Sequence, residues 1–408
     1  MFTERQNHLA KIQKQLISSR QMPLNPLTNT EINYFLNEFS SCDANNFSKS
    51  GLGEREGRIF SPIVQSRHFG FAHGIGRSGD LLEAQPKAAG SFQMLQITEG
   101  MVLHSLKLAG FQTVKKCLMV PVCTGMSFFF VLTALKLKRV IWLRCDQKSV
   151  PKALELGADV VEVVDCIIQD DSMVCDYKKL QVLMESKQFD CVVSTTSCFA
   201  PRQPDDIKII GKLAKLNNMK HIVNNAYGIQ SELIMKELNN CEDAHVVISS
   251  MDKNYMVPVS GALIYSRNKA LIEQIGQLYA GRASASGIID LFITLLSLGQ
   301  TGWNQVLEQR KRNFDNLKQK FKAKTVNRNE ISMYVPGTNE EIGKLMFKSG
   351  ISGSRFNKNG SELKICGRIL KDFGLHGEGG ISGYLVVAAA IGMKENEIDA
   401  GFLEYEQQ

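Results

Sequence analysis

The sequence predicts an α/β fold in which a mostly parallel sheet is covered by helices and followed by a smaller α+β domain. Short β-branched runs recur between residues 100 and 295, and helical stretches lie between most of them. Strands that are continuously apolar and alternate with helices are typical of parallel sheets buried on both faces. The predicted strands of this region are 117–122, 140–144, 160–164, 191–194, 221–225, 244–249 and 262–266.

Composition excludes several classes of protein. The 408 residues are 44% hydrophobic and 22% charged, which is ordinary for a globular chain and excludes wholesale disorder, collagen and coiled coil. No apolar run approaches the roughly 20 residues of a membrane span, and the N-terminal residues lack the apolar core of a signal peptide. We therefore expect a cytoplasmic protein with no membrane partner.

Charge and metal-ligating residues constrain the partners only weakly. The net charge of +7 suits an anionic partner such as RNA and equally suits simple solubility. The ten Cys form no C-x-x-C pair and the seven His form no HExxH motif, so no metal site is expected.

The chain is expected to form three domains. Residues 1–50 contain two amphipathic helical stretches, 8–18 and 28–39, and are predicted to be an N-terminal helical oligomerisation segment. Residues 51–305 are predicted to form the central domain. This domain opens with a Gly- and Arg-rich stretch, 51–91, which shows no helical or strand period and is interpreted as a long ordered loop.

The third domain, residues 306–408, is predicted to be the small α+β unit. Strands are expected near 332–335 and 363–365, and an apolar helix over 384–391. Two further helices, 288–298 and 304–324, are expected to lead from the central domain into this unit.

A GxGxxG match at residues 74–79 raises the question of a dinucleotide site. That fingerprint requires a buried strand before it and a helix after it. Residues 67–70 make a poor buried strand, and Pro86 interrupts the segment where the helix would have to form, so the dinucleotide interpretation is rejected. A glycine-rich turn beside Arg77 and Ser78 can still cradle an anion, and an ordinary surface turn fits this segment equally well.

A second candidate anion site comes after the first predicted strand, where Thr124 and Gly125 open an apolar helix. The free N–H groups of a helix N-terminus, together with a hydroxyl, bind phosphate well. An ordinary N-cap is the commoner role of such a threonine.

The third constellation lies on two late strands. One ends in Asn224 and Asn225, and the next leads into Lys253. Most lysines are simply solvated, but a desolvated lysine loses its proton readily and can form a Schiff base. A polar residue and a lysine at successive strand ends, with a phosphate-binding turn upstream, match the arrangement of aminotransferase-like enzymes that use pyridoxal 5'-phosphate (PLP).

Nine segments together resemble the O-phosphoseryl-tRNA(Sec) selenium transferase family, with almost continuous motifs over residues 30–305. They are GEREGR (53–58), HGIGRSGD (73–80), QPKAAGS (85–91), TGMS (124–127), DQKS (146–149), STTSCFAPR (194–202), HIVNNAYG (221–228), MDKNYMVPVSGA (251–262) and GRASAS (281–286). The resemblance implies a fold type I PLP-dependent transferase whose catalytic domain is residues 51–305. It also implies a homotetramer that makes selenocysteinyl-tRNA(Sec) from O-phosphoseryl-tRNA(Sec) and selenophosphate and has no DNA partner.

The resemblance also implies roles for individual residues. Lys253 is expected to bind PLP, Asn224 to face its pyridine nitrogen, and Gln147 to lie near its ring. Cys123, Thr124 and Gly125 are expected to form the turn that binds the cofactor phosphate, and Arg55 is expected to contact the cofactor. The substrate phosphate is expected to be held by Arg77, Ser78, Gln85 and Arg282. Arg355 is expected to contact tRNA.

Two other functions stay open at this point. One is a related PLP lyase or sulfur transferase that acts on a different substrate, and dependence on tRNA(Sec) separates it from the selenium transferase. The other is a tRNA-binding scaffold that has lost catalysis, against which the presence of Lys253, Arg77, Gln85 and Arg282 argues. One departure from the family is at residues 239–243, where a basic tRNA-touching stretch is replaced by Asn-Asn-Cys-Glu-Asp.

Overall fold

A computed structural model describes residues 2–358, 360–365 and 367–406 of the chain. The strands of these residues are β1 (Lys116–Val120), β2 (Arg139–Leu143), β3 (Val160–Val164), β4 (Cys166–Gln169), β5 (Ser172–Cys175), β6 (Cys191–Thr195), β7 (Lys220–Asn224), β8 (Val246–Ser250), β9 (Ala262–Ser266), β10 (Ser332–Pro336), β11 (Arg355–Asn357), β12 (Ser361–Ile365), β13 (Arg368–Phe373) and β14 (Tyr384–Ala388).

The helices alternate with these strands through the central part of the chain. They are α1 (Phe2–Ser19), α2 (Asn29–Ser41), α3 (Ala44–Phe47), α4 (Pro62–Arg67), α5 (Ala89–Leu108), α6 (Thr124–Ala134), α7 (Ser149–Gly157), α8 (Tyr177–Glu185), α9 (Ile207–Leu216), α10 (Glu232–Asn240), α11 (Met251–Tyr255), α12 (Lys269–Gly276), α13 (Ser286–Lys320), α14 (Glu340–Lys348) and α15 (Glu395–Glu406). Within these described residues, no helix is both long and apolar enough to cross a membrane.

The central sheet has seven strands in the order β1-β9-β8-β7-β6-β2-β3. Strand β9 is antiparallel to both of its neighbours, and every other neighbouring pair is parallel. All residues of β6, β8 and β9 are buried, because helices cover both faces of the sheet. The mostly parallel sheet predicted from the sequence is confirmed. Its parallel strands end at one edge, which positions the candidate site.

The N-terminal helices pack on the central domain rather than standing apart from it. Thr28 caps α2 in a capping box with Glu31, and the predicted apolar stripe of α2 (Ile32, Phe35, Leu36 and Phe39) is buried. Helices α1 and α2 both contact α5, so the N-terminal segment shares the main core. The domain boundaries at residues 50 and 305 stay a prediction.

The predicted loop over 51–91 contains one helix that the sequence analysis missed. Helix α4 is short, with Ser61 accepting a hydrogen bond from the N–H of Val64 and Pro62 at its first position. This Ser-Pro start is a standard helix signal, but it was obscured by the surrounding glycines.

The C-terminal unit corrects one prediction. Residues 384–391 were expected to be helical, but Tyr384–Ala388 is strand β14, the middle strand of the sheet β10-β14-β11. A short apolar run that is buried on both faces shows neither the helical nor the strand period, so sequence alone does not distinguish the two. The hairpin of β4 and β5 was also missed, and the two helices expected over 288–324 form one helix, α13, interrupted at Gly299.

A buried polar bridge joins the C-terminal unit to the central sheet. Asp146, just after β2, accepts hydrogen bonds from the backbone N–H groups of Gly374 and His376 at 2.8 and 2.7 Å, and its own N–H donates to Nδ1 of His376 at 3.0 Å. The guanidinium of Arg144 holds the same carboxylate at 2.8 Å. The bridge therefore fixes the residue next to Asp146 in the chain, which is Gln147.

This bridge predicts a pH-dependent stability. Burial lowers the pKa of His376 to about 4, and its Nδ1 accepts a hydrogen bond only when the ring is neutral. As the pH falls from about 6.5 to about 4, the unfolded chain takes up a proton that the folded chain does not. The free energy of unfolding should therefore fall across this window, with a contribution of roughly 1.4 kcal/mol per pH unit from this residue.

The measurement is urea unfolding of wild type and His376→Asn at pH 7, 6 and 5. Asparagine tolerates the left-handed backbone of this position (φ 67) and offers an acceptor, but it does not titrate. The variant should lose less stability than wild type on acidification. Equal losses in the two proteins would contradict the assignment.

Candidate active site

The lysine predicted to be central to the site lies at the carboxyl edge of the sheet, in α11 directly after β8. Its backbone is held firmly, because the side chain of the next residue, Asn254, accepts from the N–H of Ile229 and donates to the carbonyls of Ala226 and Ser250. The Lys253 amine lies 5.9 Å from the centroid of the Tyr227 ring. Among the described residues it has no hydrogen bond or ion pair.

The expectation that Lys253 is desolvated is wrong for the single chain, because its side chain is exposed. The reason is its place on α11. Met251, Asn254 and Tyr255 face the core, which leaves Lys253 on the outer side of this short helix. The side chain is therefore accessible from the carboxyl edge, with Tyr227 on one side.

The two asparagines at the end of β7 differ in their partners. Asn225 is used by the fold, since its Oδ1 accepts from Thr196 Oγ1 at 2.8 Å and its Nδ2 donates to the Tyr265 hydroxyl at 3.0 Å. Asn224 is also buried, but its Oδ1 has no partner among the described residues. A buried polar atom without a partner is rare, so Asn224 is the one available for a ligand at this edge.

The turn after β1 is built as a helix N-terminus. Cys123 is the N-cap residue with an exposed thiol, and Thr124 is the first residue of α6. The alternative that Thr124 is an ordinary N-cap is therefore wrong. A Cβ atom on Gly125 would lie only 3.1 Å from the backbone oxygen of Ser149, a tight contact that favours glycine at this close approach. The first amides of an α-helix lack intrahelical partners, so the start of α6 is able to bind an anion at the edge of the sheet that carries Lys253.

Four cationic side chains line an open cavity of about 400 Å³. Its lining residues are Arg55, Arg77, Ser78, Gly79, Gln85, Lys87, Ala280, Gly281 and Arg282. All four residues predicted to hold the substrate phosphate are thus brought together. Two backbone hydrogen bonds between Ile75 and Ala283, of 2.9 and 3.0 Å, join the two loops that carry them.

The GxGxxG segment forms this cavity wall and does not form a dinucleotide turn. Arg77 and Asp80 exchange backbone hydrogen bonds of 2.9 Å across a tight turn, with Ser78 and Gly79 at positive φ between them. The next helix along the chain, α5, begins only at Ala89. The rejection of a dinucleotide turn is therefore consistent with the geometry, and the anion cradle stays a prediction.

Comparison with known proteins decides the family. The family model of O-phosphoseryl-tRNA(Sec) selenium transferase, SepSecS, matches residues 42–407. A curated relative of that name from Dictyostelium discoideum is 38% identical, over 95% of this chain and 91% of its own length. One from Caenorhabditis briggsae is 37% identical, over 96% and 87%.

The chain belongs to the O-phosphoseryl-tRNA(Sec) selenium transferase family.

Solved structures agree with this assignment. The crystal structure of an archaeal O-phosphoseryl-tRNA(Sec) selenium transferase superposes with a TM-score of 0.88 at 27% identity, covering 100% of this chain and 97% of that one. A sphingosine-1-phosphate lyase from Burkholderia pseudomallei, at 11% identity and a TM-score of 0.58, shares the fold alone. The predicted fold type I architecture of PLP-dependent enzymes is confirmed.

In this selenium transferase family member, Arg55 lines the cavity together with the substrate-phosphate residues. Its expected contact with the cofactor stays a prediction. Lys253 is not among the lining residues of that cavity. The same edge of the sheet carries Lys253 and three other predicted cofactor residues. Asn224 is the last residue of β7, and Thr124 and Gln147 follow shortly after β1 and β2.

Arg355 is connected to the Lys253 edge through two aromatic rings that the sequence analysis did not single out. Its guanidinium lies 5.1 Å from the centroid of Phe199, and the rings of Phe199 and Tyr227 are 5.3 Å apart. Tyr227 in turn is the ring beside the Lys253 amine. Phe199, Tyr227 and Lys87 all lie within the nine family motifs. No role was assigned to them from the sequence, because the prediction used other residues of those motifs.

Proposed function

We propose that this chain converts O-phosphoseryl-tRNA(Sec) to selenocysteinyl-tRNA(Sec) with selenophosphate as the selenium donor. The observation that carries the proposal is the cavity in which Arg77, Ser78, Gln85 and Arg282 converge. Two guanidinium groups, a hydroxyl and an amide suit a phosphate monoester dianion, and Arg binds phosphate oxygens in pairs. The name of the relatives supplies the substrate that carries such a phosphate.

The cofactor that we propose is PLP, and the residues at the strand edge fit it. The unpartnered Oδ1 of Asn224 suits the cofactor ring. The backbone amides of Thr124 and Gly125 suit its phosphate, and the Lys253 amine suits its aldehyde. Gln147 is held at the same edge by the Asp146 bridge. PLP supplies an aldehyde that condenses with amines and a ring that accepts electrons from Cα of the bound amino acid.

The side chains of this chain then have distinct tasks. Lys253 would act as the general base that removes the Cα proton of the bound amino acid. Arg77 and Arg282 would stabilise the phosphate as its bond to Cβ breaks. Selenium from selenophosphate would then bond to Cβ, while water cleaves the Se–P bond and the donor's phosphoryl group leaves as a second phosphate. The Oδ1 of Asn224 can accept from a protonated ring nitrogen, but a neutral amide stabilises that proton less than a carboxylate would. We infer a weaker electron sink, which suffices because phosphate is a good leaving group.

We propose that the tRNA acceptor end reaches Lys253 past Arg355. An exposed arginine that lies against Phe199 is suited to contact a nucleic-acid base or phosphate. Residues 239–243, where the family is basic, instead form the last two residues of α10 and the turn after it. Arg267 donates hydrogen bonds to the carbonyls of Leu238, Asn239 and Cys241. Docking of tRNA therefore depends on the C-terminal unit more than on this segment.

We also propose that copies of the chain assemble into a homotetramer in the cytoplasm. Three large apolar side chains near Arg55 are almost fully exposed in the single chain, namely Leu52 (99%), Phe60 (103%) and Ile63 (82%). Apolar side chains grouped in this way are typical of surfaces that are covered in an assembly. Light scattering coupled to gel filtration would measure the mass directly.

The test of the function is conversion of O-phosphoseryl-tRNA(Sec) with selenophosphate by wild type and Arg282→Ala. Loss of one donor to the developing phosphate charge should lower the rate by about 10²–10³-fold. Arg312→Ala, at an exposed arginine of α13, is the matched control and should convert normally. Equal rates for Arg282→Ala and wild type would refute the role of the cavity, and faster turnover of free phosphoserine than of the tRNA ester would favour the lyase alternative.

A further inference from the structure

Most of the cations that line the phosphate cavity form ion pairs with nearby carboxylates. Lys87 Nζ lies 2.5 Å from the Glu56 carboxylate, and Arg77 Nη1 lies 3.7 Å from that of Glu83. Arg282 differs, because its guanidinium donates to the backbone oxygen of His73 at 3.3 Å and has no ion pair within the part of the chain that the structure describes. Arg55 Nε also lies 3.5 Å from the Glu54 carboxylate, in a pair whose side chains are 72% and 88% exposed. The cavity thus combines one guanidinium without an ion pair among the described residues with three cations that already have carboxylate partners.

Glu56 is the fixed member of its pair. Its side chain is only 14% exposed, against 45% for Lys87. It folds back over Gly51 and Gly53, where a Cβ atom on either glycine would collide with it. Arg58 closes the same loop by donating hydrogen bonds to the carbonyl oxygens of these two glycines. Glu56 is therefore held at the rim, while the long lysine side chain remains able to move.

The two ion pairs are open to exchange, because their cations, Lys87 and Arg77, are 45% and 47% exposed. Arg77 and Glu83 are each 47% exposed, and exposed pairs of this kind contribute little because water and salt screen them. A phosphate dianion offers two negative charges and paired oxygen acceptors, so it competes well for the same cations. A bound dianion in turn feels the negative charge of both glutamates.

We propose that Glu56 and Glu83 are built-in competitors of phosphate, which hold Lys87 and Arg77 in the absence of an anion and weaken the binding of the phosphate that the reaction releases. The inference rests on the proposed function and adds to it Lys87 as a further phosphate-binding residue. The glutamates keep a cavity with four cations from retaining its product. The substrate phosphate is less affected, because the rest of the substrate holds it in place.

The experiment is titration of the complete protein with inorganic phosphate at constant ionic strength, followed by calorimetry. Glu56→Gln and Glu83→Gln should each lower the dissociation constant by about three- to tenfold, as expected for removing one charge at the edge of a solvated site. Glu362→Gln, at an exposed glutamate of β12, removes the same charge elsewhere and should leave the constant unchanged.

A second variant series separates competition from positioning. With Lys87→Met in place, Glu56→Gln should have less effect than it has in wild type, because Glu56 then has no cation to withhold. Weaker phosphate binding by both glutamine variants would overturn the proposal, since it would mean that the glutamates orient the cations. If wild type bound no phosphate, the cavity would not be a phosphate site, and the proposed function would fail with it. If wild type bound phosphate and the glutamine variants had the same dissociation constant, only the competition would be refuted.

Discussion

Lys253→Ala is expected to abolish both covalent attachment of PLP and conversion of O-phosphoseryl-tRNA(Sec). Lys253 is the amine at the strand edge that also carries Asn224 and the N-terminus of α6, and alanine offers neither a nucleophile nor a base there. Loss of the general base alone lowers rates by about 10²–10⁴-fold. Wild type should be yellow with PLP and keep a borohydride-reduced adduct on a peptide that contains residue 253, whereas the variant should form no such adduct.

The control is Lys269→Ala, which removes an exposed lysine at the start of α12. It should retain colour, adduct and activity. A reducible adduct that persists in Lys253→Ala would place the cofactor on another lysine. Wild type that stays colourless with added PLP would instead refute the cofactor proposal and favour the scaffold that has lost catalysis.

The central sheet was predictable because its strands are short, β-branched and separated by helices. Strands β3 and β9 have the predicted bounds, and the other predicted strands of the sheet differ by a residue or two at their ends. Local pattern determines such elements, since burial on both faces requires continuous apolar residues. Strand β14 has the same pattern in a smaller unit, and there the length of the run favoured a helix.

Much of the candidate site was predictable from the order of polar residues at strand ends, because parallel strands bring those ends together. The pattern did not show that Lys253 would be exposed, since the direction of a side chain on a five-residue helix depends on which neighbours enter the core. Nor did it show Phe199 and Tyr227 between Lys253 and Arg355, because this contact joins the central sheet to the C-terminal unit. Contacts between distant segments leave no periodic signal in either one.

Asp205→Ala is expected to cost about 3–5 kcal/mol in the free energy of unfolding, the amount typical of removing one partner from a buried ion pair. The Arg202 and Asp205 side chains are 0% and 1% exposed, and Nη2 of Arg202 lies 2.9 and 3.1 Å from the two carboxylate oxygens. Without Asp205, the buried guanidinium would keep its hydrogen bonds to the backbone carbonyls of Arg144 and Gln203 but would have no carboxylate partner among the described residues. Urea unfolding followed by circular dichroism measures the loss.

The loss should extend to the site, because Asp205 also accepts the backbone N–H of Thr195 at 2.7 Å, and Thr195 is paired with Asn224 across β6 and β7. The double variant Arg202→Met with Asp205→Leu is the comparison that isolates the charge. It removes both members of the pair and should be more stable than Asp205→Ala, since an apolar replacement leaves no unpaired charge. If the double variant lost as much free energy of unfolding as the two single variants together, the residues would act independently. If Asp205→Ala lost less than about 1 kcal/mol, water would reach the guanidinium.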